Sequence, residues 1–137
     1  MRSRAKVAAS APAPDRQIMA AAGLRTFFNI SQAWGLDADQ QRTLLGSPAR
    51  STFFQWKRQG TTALPRDVLE RISYLFGIYS ASQVLLPQPE AADAWVRRPN
   101  QAAFFAGRSA LEVMLSGNVG DLYLVRQYLD GQRGGWS

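Results

Sequence analysis

Between residues 24 and 34, apolar side chains recur at Leu24, Phe27, Phe28, Ile30 and Trp34, and Gly35 follows. Intervals of three and four residues are those of one face of an α-helix, and a glycine after the last of them is a stop. A second, shorter helix is expected after Asp37, with Leu44 and Leu45 turned inward and Gly46 ending it. Ser47-Pro48 reads as the N-cap and first position of a third helix, because a serine hydroxyl accepts from an orphan amide and proline has no amide to lose there. That helix runs through Arg50-Ser51-Thr52-Phe53-Phe54-Gln55-Trp56-Lys57-Arg58-Gln59 to Gly60. Pro65 opens a fourth, whose inward face is Val68, Leu69, Ile72, Leu75 and Phe76.

Pro87-Gln88-Pro89 marks a boundary between lobes. Beyond it a short helix from Ala91 to Arg98 carries Trp95 and is stopped by Pro99. Ser109-Ala110-Leu111-Glu112 has the S-x-x-E spacing of a capping box, so a helix begins there and ends at Gly117. A last helix from Asp121 to Asp130 puts Leu122, Val125 and Leu129 on one face and ends at Gly131. Strand signals are weak throughout, and no solenoid period is present. The expectation is an all-α fold: a basic disordered arm over residues 1–20, a helix-turn-helix lobe over 21–86, and a small helical lobe with a C-terminal tail over 87–137.

At 100° per residue, Ala49, Phe53 and Trp56 of the third helix fall within about 60° of one another and form its core side. Ser47, Ser51, Gln55 and Arg58 lie opposite, Thr52 stands at the margin, and Arg50 and Lys57 flank the buried stripe. Phe54 falls outside the inward arc and fits DNA backbone, a dimer interface or local packing. Short helix, glycine turn and amphipathic helix make a helix-turn-helix, whose second helix can enter a major groove. Gln55 suits adenine N6 and N7, and Arg58 suits guanine O6 and N7 or a phosphate. Ser51 and Thr52 suit base edges or phosphate oxygens, and Arg42, Arg50 and Lys57 suit the backbone.

Charge sharpens this picture. The chain carries +6, and up to Pro89 eleven Lys and Arg face five Asp and Glu, whereas beyond it five face five. The first part is suited to an anionic partner and the second to something else, although a basic face kept for solubility gives the same count. The chain has no cysteine and no histidine. Disulfides and thiolate metal sites are excluded, and the commonest general base and metal ligand are missing, which argues against an enzyme and calls for no metal or cofactor. Scattered carboxylates such as Asp67, Glu70, Asp121 and Asp130 have the spacing of caps and surface pairs. No segment has signal-peptide or membrane-spanning character, so a cytosolic protein is expected.

Two stretches, GSPARSTFFQWKRQG with LPRDVLERISYLFGIYSA, and AADAWVRRPNQAAFFAGRSALEVMLSGNVGDLYLVRQYLDGQRGGW, resemble the Xre/MbcA/ParS-type antitoxins paired with RES-domain toxins. The second is the more specific, through W-x-R-x-P-N, F-x-G-R-S-A-L-E-x-M and R-x-Y-L-D-x-x-R-G. An Ala-Phe-Phe-Ala run at 103–106 departs from the usual pattern. The resemblance implies a first lobe that binds the module's own promoter and a second that neutralises a toxin consuming NAD or transferring ADP-ribose. It also implies that the C-terminal end approaches the toxin's nucleotide cleft, which carries over to Arg126, Tyr128, Arg133, Gly134, Gly135 and Trp136. Apart from the family, a Gly-Gly backbone can follow a narrow cleft, arginine can meet carboxylates and tryptophan can anchor, though a frayed terminus with a stray aromatic fits the same residues. Arg97 and Arg98 suit either toxin docking or the C-terminus of the preceding helix. Arg108 suits a loop carbonyl of its own chain or a partner carboxylate. Operator palindromy makes a homodimer the expected assembly. A helix-turn-helix regulator whose second lobe only dimerises or senses a ligand is the rival reading.

Overall fold

The apolar stripe at 24–34 is the second half of a longer helix, α1, Pro12–Ala33. The computed structural model describes residues 12–132. The arm expected over residues 1–20 is therefore corrected at its C-terminal end, and its first eleven residues lie outside the described ones. Pro12 and Pro14 sit in the first turn, where a missing amide costs nothing, and Asp15 there offsets the helix dipole. The run Ala20-Ala21-Ala22 then carries the helix forward with high propensity, and Ala20 is already buried.

Helix α2, Ala38–Leu44, starts at a capping box: Gln40 N–H donates to Asp37 Oδ1 at 2.8 Å, and Asp37 N–H donates to Gln40 Oε1 at 3.0 Å. Leu44 and Leu45 are fully buried. Gly46 follows with φ +93°, its amide donating to Thr43 O at 3.0 Å, while Ser47 N–H reaches Arg42 O at 2.9 Å. This pair of bonds is a Schellman closure. It corrects the expected N-cap: Ser47, with φ +59°, finishes α2, and Ala49 precedes α3, Arg50–Gln59. Ala49 is exposed, not core, whereas Phe53 and Trp56 are buried as expected.

Helix α4, Arg66–Leu85, is the spine of the molecule. Val68, Ile72 and Leu75 point inward and Leu69 is half-buried. Phe76, expected inward, is 51% exposed. It lies about 70° from the centre of the stripe of Val68, Ile72 and Leu75, and the second lobe covers α4 on the other side, at Gly77 and Ala81.

That second lobe contains α5, Pro89–Trp95, which begins two residues and ends three residues before the expected Ala91–Arg98. It continues with α6, Ala110–Met114, and α7, Val119–Gly131. The predicted capping box holds, with Glu112 N–H on Ser109 Oγ at 3.1 Å and Ser109 N–H on Glu112 Oε1 at 2.8 Å. Leu122, Val125 and Leu129 are all buried. The loop between α5 and α6 is tied by one isolated bridge, Pro99 to Ser109, and by Gly107 N–H on Asn100 O at 2.8 Å. Among the described residues there is no strand, so the all-α expectation holds. One hydrophobic cluster runs from Leu24 and Phe53 in the first lobe to Trp95, Phe105 and Leu129 in the second.

Candidate functional site

The Schellman turn sets the geometry of the first site. Because Gly46 and Ser47 both adopt left-handed backbone, the chain reverses in two residues and α3 packs across α1, with Phe53 6.1 Å from Phe28 between ring centroids. Burial of Phe53 and Trp56 fixes the rotation of α3, so Ser51, Gln55 and Arg58 come out exposed on the opposite side. Thr52 is half-buried at the margin. Arg50 is held by Asp39 at 3.2 Å and lies 5.7 Å above the Phe54 ring. Phe54 is half-buried and meets Phe53 edge-on at 5.1 Å, so local packing accounts for it. Lys57 sits 6.0 Å from the centroids of both Phe28 and Phe53, with a 3.4 Å contact to Gln41 Oε1. Arg42 is half-buried and donates to Pro48 O at 3.0 Å, bracing the turn from inside.

Behind the turn stands a residue that no local pattern singles out. Arg71 of α4 is buried, and its Nε donates to Asp67 at 3.2 Å while the side chain lies over Gly46. The i,i+4 spacing of Asp67 and Arg71 is legible as a surface pair; only the fold shows it clamping the helix-turn-helix.

In the second lobe, Arg97 corrects its expected role. Its guanidinium donates to Trp34 O at 3.0 Å and Gly35 O at 2.8 Å, capping the C-terminus of α1 instead of its own helix. Arg98 is exposed. Arg108 takes the first of its two alternatives, donating to Phe105 O at 2.9 Å and Phe104 O at 3.2 Å. Arg126 is half-buried between α7 and α4, bonded to Asp130 at 3.2 Å and laid against Gly77 so closely that a Cβ there would overlap its guanidinium. Tyr128 stacks on Trp95 at 6.5 Å and meets Phe105 edge-on at 4.9 Å. This aromatic cluster stands one turn before Gln132, and it packs the end of α7 against α5 and the loop that follows α5. Arg133, Gly134, Gly135 and Trp136 lie outside the described residues. Beside the cluster, Leu124 is 41% exposed one turn before Tyr128, an apolar position outside the inward stripe of its helix.

Among the described residues no three Asp or Glu side chains gather in a way that would hold a metal ion, and no helix is long and apolar enough to cross a membrane. What the geometry offers is two lobes that share one core, each with its own exposed polar side chains. Comparison with known proteins matches them separately. Residues 13–77 match the antitoxin Xre-like helix-turn-helix domain, and residues 80–135 match the antitoxin Xre/MbcA/ParS C-terminal toxin-binding domain. The chain is also 55% identical over 114 residues to uncharacterized protein y4oB of Sinorhizobium fredii (strain NBRC 101917 / NGR234), an alignment covering 83% of this chain and 86% of that one. With α1 to α3 and the first part of α4 in the first match, and the end of α4 with α5 to α7 in the second, the chain belongs to the Xre/MbcA/ParS antitoxins, pairing a helix-turn-helix DNA-binding domain with a toxin-binding domain.

Proposed function

We propose that this antitoxin neutralises a RES-domain toxin by laying its C-terminal tail into the toxin's NAD cleft, and that it represses its own operon as a homodimer through α3. The observation that carries the reading is the aromatic cluster of Trp95, Phe105 and Tyr128, which gives the tail a rigid point of departure. A tail launched from a fixed base loses less freedom on binding than one launched from a loose end, so more of its contact energy appears as affinity. Arg133 and Trp136 then supply a charged group and an apolar anchor, and Gly134-Gly135 a backbone slim enough for a cleft. The antitoxin acts by binding and turns nothing over. On the DNA side, exposed Ser51, Gln55 and Arg58 carry the polar groups suited to base edges and phosphates.

The test is co-expression with the neighbouring open reading frame, purification through a tag on this chain, and an assay of NAD consumption with and without it. A co-purifying protein that consumes NAD only when freed supports the reading. Removing residues 133–137 should restore much of that consumption while leaving DNA binding intact. A shortened chain that still silences the toxin fully refutes the role of the tail.

A further inference from the structure

A cleft of about 600 Å³ opens between α1, α2 and α3, where Lys57 flanks the buried stripe of α3. Among the described residues, its lining contains no carboxylate. Arg25 and Lys57 supply two cations, Asn29, Gln32 and Gln41 supply amides, and Phe28 forms part of the floor. Arg25, Asn29 and Gln32 stand four and three residues apart, so they form one stripe of α1, turned away from the core stripe of Leu24, Phe27 and Trp34. Gln41 is buried, and its Nε2 donates to Leu36 O at 2.9 Å, which leaves Oε1 facing the Lys57 ammonium. Lys57 thus has one long hydrogen bond and two aromatic faces near it, and its charge is not offset by a carboxylate among the described residues. A positively charged recess with neutral donors along its wall is chemistry for an anion.

We infer that this cleft holds the DNA backbone on one side of the groove that α3 enters, with Arg25 and Lys57 on phosphates and Asn29 and Gln32 as neutral donors beside them. The inference rests on the reading of α3 as the groove-entering helix. Packed helices lie about 8–10 Å apart, and a major groove is about 12 Å wide, so a stripe on the neighbour of a groove-bound helix falls near the bordering phosphate strand. Phosphate contacts of this kind fix register without reading sequence. Arg25, Asn29 and Gln32 therefore extend the interface from the helix-turn-helix to α1.

The full-length chain should be titrated against an arbitrary duplex of about 30 base pairs over a range of salt concentrations, by fluorescence anisotropy. Each phosphate contact contributes about 0.9 to the slope of log affinity against log salt, so Arg25→Gln should reduce the slope by about one. Gln32→Glu, which places a carboxylate in the recess, should weaken binding at every salt concentration. Both side chains are exposed, and circular dichroism melts should match the parent. Arg58→Glu separates the two readings. If it weakens binding while Arg25→Gln keeps the parental slope, α3 is on the DNA and the cleft is not, which overturns the inference alone. If neither changes binding, the reading of α3 fails and the inference with it. If poly-glutamate binds in an Arg25-dependent way and DNA affinity is untouched, the occupant is an acidic protein and the inference is again overturned.

Discussion

Gly46→Ala should destabilise the protein by about 2–3 kcal/mol, from two causes that a second variant separates. The first is conformational. Gly46 has φ +93°, and an L-residue in left-handed backbone costs about 1–2 kcal/mol. The second is steric. A Cβ at this position would stand 2.9 Å from Arg71 Nε, 3.1 Å from Asp67 Oδ2 and 3.3 Å from Arg71 Cδ. Asp67 is exposed enough to yield, but the Arg71 side chain is only 11% exposed and has little room to turn. Forcing it off its rotamer costs about 0.5–1.5 kcal/mol and lengthens its 3.2 Å bond to Asp67. Gly107 is the control: its φ is +89°, close to that of Gly46, and nothing lies within 4 Å of where a methyl would stand, so Gly107→Ala should show the conformational cost alone. For a chain of this size each kcal/mol lowers Tm by about 3–5 °C, so Gly46→Ala should melt roughly 10 °C below the parent, and below Gly107→Ala by about 2–7 °C. Thermal melts followed by far-ultraviolet circular dichroism read this directly. If Gly46→Ala melts no lower than Gly107→Ala, the Arg71–Asp67 clamp does not press on the turn and the steric part of the reasoning is wrong.

Two further outcomes follow from the same lobe. Trp56→Ala opens a cavity between α3 and α1 and should cost about 3–5 kcal/mol in urea denaturation; an unchanged midpoint would place Trp56 outside the core. Gln55→Ala and Arg58→Ala should each weaken binding to the promoter fragment by about 1–3 kcal/mol, measured by gel shift, with thermal stability unaltered because both side chains are exposed; full affinity in both would remove the outer face of α3 from the interface.

Periodicity made the helices legible because each buried stripe is local: Leu24 to Trp34, Phe53 with Trp56, and Leu122 with Val125 and Leu129 all repeat at three or four residues. Capping was legible at Ser109, where the hydroxyl and Glu112 satisfy each other. At Ser47 the same rule misled, because a serine amide closing the Schellman turn on Arg42 O belongs to the helix before it, and nothing in Gly-Ser-Pro distinguishes an end from a beginning. Phe76 misled for a different reason. A long helix buried by α1 on one side and α7 on the other leaves an open strip between them, and which apolar residue falls in that strip depends on where the neighbours pack. Long-range roles were the least legible. Arg97 meets α1 across more than sixty residues, and Arg126 meets Gly77 through a missing side chain, so neither contact leaves a local pattern.

Those long-range contacts should make the two domains one cooperative unit, which a chain ending at residue 86 would test. Helix α4 supplies the last helix of the DNA-binding lobe and also the surface on which α5 and α7 lie: Tyr74 meets Tyr123 at 5.9 Å and Gly77 meets Arg126, both of α7, and Gln83 donates to Asp93 of α5 at 2.9 Å. On the helical wheel Ala81 falls between Tyr74 and Gly77 and Ile78 lies next to Tyr74, and both are buried. Truncation would expose this face and release the two carbonyls at the end of α1 that Arg97 caps. Exposing one isoleucine and losing two charge-assisted bonds amounts to about 4–9 kcal/mol, against a total of about 5–15 kcal/mol for a domain. The shortened chain should therefore melt at least 10 °C below the full one, and in the full chain the fluorescence of Trp34 and Trp56 in the first lobe should change together with that of Trp95 in the second. Single-tryptophan variants read each lobe separately. Two resolved transitions, or a shortened chain as stable as the parent, would mean that α4 carries the first lobe unaided and that the contacts with α7 and Arg97 add nothing to it.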